Sequence, residues 1–219
     1  MSEVDDALAG QLVVDAAAHE RKAALGSAWT GSRLFVAMST MVFGAGAFAY
    51  FYLHSLDNNG LWRAPGQRPS AFISVPVLAL SVAASLLYVA ITRRAGRPNA
   101  NGNDWRVAAA ICVLLLVLAA GIQFWGMRRL LFFPGSSGFA SLYVATMPLF
   151  GVWLLIGAYW VEVLLARSLR VRWVLTPVGE NADTEEAAAF AGSLDGSRLF
   201  LGFLGLLSVF LYVLFSVLK

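Results

Sequence analysis

Nineteen consecutive residues, Phe35–Leu53, read FVAMSTMVFGAGAFAYFYL and carry no charge. That length constrains the fold strongly, because about 20 apolar residues rising ~1.5 Å each cross a hydrocarbon layer of ~30 Å. A secretion signal's apolar run stops at about 7–15 residues. Four more stretches resemble the first, at about 70–92, 107–127, 140–166 and 199–218. All are continuously apolar, which predicts helices; barrel strands would alternate apolar and polar over about 10 residues. Composition agrees, with 59% hydrophobic and 13% charged residues against about 25% charged in soluble domains. The expected fold class is all-α: a polytopic membrane protein whose five-helix transmembrane domain, 33–219, follows an N-terminal segment, 1–32.

The net charge is +3, which in a soluble chain would suggest nucleic acid, but here the basic residues flank the spans. No nucleic-acid partner is expected. The basic residues instead set orientation. The side holding the N-terminus carries Arg21, Lys22, Arg33, Arg93, Arg94, Arg97, Arg106, Arg167, Arg170, Arg172 and Arg198, eleven in all. The other side holds five: Arg63, Arg68, Arg128, Arg129 and Lys219. The positive-inside rule then puts the N-terminus in the cytoplasm and the C-terminus outside. The loops offer connectors rather than a separate domain. The run VVDAAAHERKAAL reads as a short cytoplasmic helix, GENADTEEAAAF as an acidic solvated connector, and RRAGRPNANGND as a polar turn between spans two and three.

Little chemistry can be built from these spans. His19 and His54 both fall outside them, so no bis-histidine haem site is available at membrane depth. A lone Cys112 completes no copper or zinc shell and allows no internal disulfide. Glu162 is the one ionisable residue within the spans and stands five residues before Arg167, near an interface, where it reads as a snorkelling carboxylate with a proton-entry or partner-contact role as the alternative. Phosphate-binding glycine loops, the GxSxG elbow and the HExxH motif are absent from the sequence. What the spans do hold is small residues: Gly44, Ala45, Gly46 and Ala49 in the first, Ala79, Ser81, Ala83 and Ser85 in the second, Gly202 and Gly205 in the fifth. These let helix backbones approach in lipid, where no hydrophobic drive exists between helices. Trp62, Trp105, Trp125, Trp160 and Trp173 lie near span ends and read as headgroup anchors.

The first span resembles a segment of cytochrome c oxidase subunit III commonly written FLASEVMFFGALFAAYFYL. The two align without a gap and share Phe35, Ala37, Met41, Phe43, Gly44, Ala45, Ala49, Tyr50, Phe51, Tyr52 and Leu53. A Trp/Pro loop follows at LWRAPGQRP, then Pro76, then a third span with Gln123 at the family's glutamine position. The fourth span keeps Ser141, Leu142, Ala145, Gly151, Leu155 and Gly157. The resemblance covers about residues 33–167. Five spans with the N-terminus inside also fit the bacterial short form of that subunit, which lacks the first two of seven helices.

The departures are all polar. The family's buried glutamate falls on Ser39, two histidines fall on Phe150 and Trp153, and the glutamate after the glutamine falls on Gly126. The resemblance implies a cytochrome c oxidase subunit III-like bundle with no redox centre of its own, in the bacterial plasma membrane. It would dock on oxidase subunits I and II, where the haem and copper reside, and hold phospholipid in a cleft. Lipid or subunit contacts are then expected at Arg33, Ser39, Gly44, Ala45, Gly46, Ala79, Ala83, Arg93 and Arg94: small apolar residues facing acyl chains, basic ones facing phosphate headgroups. Two other readings stay open. One is a subunit III-like accessory protein of nitric oxide reductase or another respiratory complex; the other is an independent transporter, which should show broken helices or intramembrane charges.

Overall fold

The computed structural model describes residues 3–57, 62–95, 102–170 and 185–218. They form five long helices: α1 (Glu3–Ser55), α2 (Ala71–Ala95), α3 (Gly102–Arg128), α4 (Gly138–Arg170) and α5 (Glu185–Tyr212). A single π-helical turn, Val213–Val217, ends α5. No strand occurs among the described residues. Each helix contains a segment long and apolar enough to cross a membrane: Trp29–Ser55, Ala71–Arg94, Gly102–Arg128, Gly138–Arg170 and Phe190–Val217. The chain is a multi-pass helical membrane protein.

The observed spans cover the expected ones to within one residue, starting at Ala71 and ending at Val217 where 70 and 218 were expected, and extend past most of the other ends, because a helix need not stop where the hydrocarbon does. This is plainest in α1. Its 53 residues reach about 80 Å at ~1.5 Å per residue, more than twice the hydrocarbon thickness. The short helix expected at 13–25 is therefore no separate element; α1 runs unbroken through it. Pro76 and Pro148 sit inside α2 and α4, a substitution that membrane helices tolerate when neighbouring helices re-satisfy the freed carbonyl.

Packing follows small residues. α5 lies between α1 and α2 and also touches α4, while α3 packs along α2 and α4, and α1 meets α4 along a shorter contact. Glycines mark the closest approaches. A Cβ on Gly205 would come within 2.9 Å of Ser85 Cβ, one on Gly157 within 2.8 Å of Leu204, and one on Gly151 within 2.9 Å of the Phe124 ring. The outer surface exposes many large apolar side chains, Leu34, Met41, Phe48, Phe72, Leu114 and Leu206 among them, as lipid contact requires.

The end of the bundle that holds the C-terminus is closed by aromatic rings. Tyr50, Trp62, Phe139, Tyr143 and Phe215 meet mostly edge to face, with centroids 5.1–6.2 Å apart. Trp62 is buried here, at 6% exposure, and Trp105 at the opposite end of the bundle, at 1%, which corrects their reading as headgroup anchors. Trp62 belongs to a loop that folds back over the bundle, its carbonyl accepting from Phe139 N; Trp105 packs against Phe190. Trp125 is exposed and Trp160 half-buried, while Trp173 lies outside the described residues.

Candidate functional site

Ser39 and Trp153 meet where α1 crosses α4. Ser39 is fully buried; its hydroxyl donates to Phe35 O one helical turn back, at 2.7 Å, and accepts from Trp153 Nε1 at 2.7 Å. Serine tolerates a span interior by this back-bonding to the preceding turn. Phe35 stacks on the Trp153 indole at 6.0 Å, and Phe43 meets it edge-on at 5.7 Å. Phe150 is buried nearby on the same helix. The pair contains no group that titrates or binds a metal in its ordinary state. Its chemistry is that of a fastener: both polar groups are satisfied by protein in a region where an unpaired one would be costly.

The other expected contact residues lie mostly on the outside. Gly44, Ala45, Ala79 and Ala83 are exposed, and Gly46 is half-buried with Thr146 Oγ1 3.6 Å from where its Cβ would stand. α5 separates α1 from α2, so their small residues face outward from two different sides. Arg33 lies over the Trp29 ring at 4.1 Å, and Arg93 and Arg94 are exposed at the end of α2. Beside the start of α4 and the end of α1 is a shallow hollow of about 750 Å³, with Leu53, Ser136, Ser141, Leu142 and Ala145 in its walls.

Gln123, at the resemblance's glutamine position, is 2% exposed and borders two small cavities. One, about 80 Å³, has Arg68, Gly126, Arg129 and Tyr143 around it. The other, about 20 Å³, is bounded by Ser74, Phe150 and Ser208 among others, room for about one water.

Several polar contacts were not anticipated from the sequence. Arg63 donates from Nε to Gln67 O at 2.7 Å and from its guanidinium ends to Leu218 O at 3.4 Å and Phe215 O at 3.5 Å, while lying over the Phe139 ring at 4.2 Å. It thereby covers carbonyls that the helix end leaves open. Burial is the main cause of a lowered pKa at Arg63, opposed by Tyr50 and reinforced by Arg68. At the opposite end of the bundle, Tyr88 and Ser197 join α2 to α5 at 2.8 Å, and Arg106 donates to Ser168 O across α3 and α4. The available signal was general: a polar residue inside an apolar run needs a partner, without saying which.

Glu162 is exposed on the outward face of α4. Among the described residues no cation stands within ion-pair distance of it. At the centre of a span a carboxylate costs about 2.5–3.5 kcal/mol, falling toward the interface. Among the described residues no three His, Cys, Asp or Glu side chains stand close enough to share a metal ion; His54 is stacked on Tyr50. No protein-family model matches the chain, and no curated protein matches it significantly.

Proposed function

We propose that this chain is a non-catalytic, subunit III-like component of a bacterial haem-copper terminal oxidase, stabilising subunit I and holding lipid during aerobic respiration. One observation carries the reading beyond helix count. Ser39 and Trp153 were aligned to the family's polar positions separately, one on the first span and one on the fourth, and the two meet in a hydrogen bond. A chance alignment of two apolar helices has no reason to bring such positions together. The role needs no redox group in this chain, since haem and copper would lie in the partner subunits.

Lipid has places to bind under this reading. The exposed Ala79 and Ala83 on α2, and Gly44 and Ala45 on α1, leave shallow tracks for acyl chains, and Arg93 and Arg94 suit an anionic headgroup at roughly 1 kcal/mol each. A second reading, an accessory protein of nitric oxide reductase, draws on the replacement of the family's two glutamates and two histidines by Ser39, Gly126, Phe150 and Trp153.

The test is mass spectrometry of the complex after mild solubilisation. Co-purifying oxidase subunits I and II support the first reading, and nitric oxide reductase subunits the second. A chain that runs alone, or with unrelated partners, overturns both.

A further inference from the structure

Going down α4 toward its C-terminal end, the residues Val152, Leu155, Tyr159, Glu162, Ala166 and Leu169 succeed one another at alternating steps of three and four, and all six are exposed. Steps of three and four keep side chains on one face of a helix and are the spacing by which one helix packs along another. Exposure alone would mean lipid, as it does for the large apolar residues exposed on α1, α2, α3 and α5. This face carries a carboxylate with no ion-pair partner among the described residues, whereas the exposed Asp195 of α5 pairs with Arg198.

We propose that this face of α4 is an intramembrane docking seam for a transmembrane helix of a different chain, one that presents an arginine or lysine opposite Glu162. The charge argues for that occupant. Arg167 is five residues along, about 140° round the helix, and Arg170 is eight residues and about 12 Å away, so neither shares the local face; the position one turn on, where a helix would place a partner, is Ala166. No cation of another element reaches Glu162 either, among the described residues. Three occupants are disfavoured by the same charge. Acyl chains leave the carboxylate unpaired, an anionic headgroup repels it, and a second copy related by a twofold axis along the membrane normal would set Glu162 against Glu162 at one depth. A cation on a neighbouring helix satisfies it, and Ala166 one turn away leaves room for that helix to come close. Tyr159, 67% exposed, adds a hydroxyl on the same seam.

The inference rests on the chain being part of a larger membrane complex but not on which one. A photoreactive residue replaces Tyr159 in full-length chain expressed in native membranes, with the same replacement at Leu206 of α5 as a lipid-facing control. The expected product from position 159 is one discrete covalent adduct with a different protein, its cross-linked peptide lying in a transmembrane helix that contains Arg or Lys; position 206 should give lipid adducts. Introducing Glu162→Lys should cut the adduct about tenfold or more, equivalent to ~1.4 kcal/mol, Glu162→Gln less, and reversing the partner's basic residue to Glu should restore it in the Glu162→Lys background. Lipid adducts alone from position 159, an adduct with a second copy, or an adduct indifferent to charge at 162 would each overturn the seam. The identity of the partner tests the oxidase reading separately: a charge-dependent adduct with a non-oxidase protein keeps the seam and removes the oxidase, whereas co-purified oxidase subunits without the adduct do the reverse.

Discussion

Ser39 Oγ serves two hydrogen bonds at once, donating to Phe35 O and accepting from Trp153 Nε1, and the two partners differ in what they lose when one is removed. Trp153→Phe deletes the indole donor but leaves Ser39 its bond to its own helix, so the loss should be near the ~0.6 kcal/mol average for interhelical hydrogen bonds in membranes. Ser39→Ala strands a buried indole N–H, which costs about 1–3 kcal/mol. Trp153→Ala also empties the space between Phe35 and Phe43 and should cost about 3–5 kcal/mol by analogy with soluble cores. Thermal unfolding in detergent, followed by loss of monodisperse protein, should rank the three in that order; Ser39→Ala no worse than Trp153→Phe would refute the fastener. Under the oxidase reading none should abolish turnover of the assembled complex, because neither side chain carries an ionisable proton in the working range. Normal assembly with complete loss of turnover in Ser39→Ala would reveal chemistry at the pair.

At the scale of helices, the glycines divide by what stands opposite them. Gly205→Ala would press a methyl to within 2.9 Å of Ser85 Cβ, an atom fixed to the α2 backbone, and should destabilise by about 1–3 kcal/mol. Gly44→Ala meets nothing within 4 Å and should stay within about ±0.5 kcal/mol in the isolated chain, so a thermal shift as large as that of Gly205→Ala would contradict the placement of α1. The π-helical turn makes a separate prediction. Arg63→Met removes the guanidinium that reaches Phe215 O and Leu218 O; at about 1.5 kcal/mol for a charged hydrogen bond, amide exchange at 213–218 should quicken about tenfold, with α3 unchanged. An unchanged rate at 213–218 would mean the turn holds without the arginine. These contrasts show where the sequence was readable. Apolar length is local, so five spans could be read directly, and Ser39 and Trp153 were singled out by alignment. That α5 sits between α1 and α2 depends on contacts between distant segments, which small residues permit without specifying. Position along the chain does not give depth: a loop folding back over the bundle buries the Trp62 indole, and Trp105, at the start of α3, is buried against Phe190 of α5.

For the molecule as a whole, the bundle supplies two ends and the sequence supplies the difference between them. Helix alternation puts the starts of α1, α3 and α5 at one end with the finishes of α2 and α4, so Arg33, Arg93, Arg94, Arg106, Arg167, Arg170 and Arg198 gather there. With the basic residues of the N-terminal helix and the intervening loops the ratio is eleven to five. Short loops obey this bias because positive charge resists translocation across an energised membrane, whereas acidic residues contribute little to the rule; the acidic run after α4 therefore does not offset it. We expect the N-terminus in the cytoplasm and the C-terminus outside. A phosphatase fused after Lys219 should be active and a fluorescent protein at the same place dark, since the first folds only outside and the second only within. The reversed pattern would require either an even number of crossings or an inverted bundle. Fusions in the loop after α4 separate these: activity there together with a silent C-terminus means inversion, whereas silence at both means that α5 does not cross.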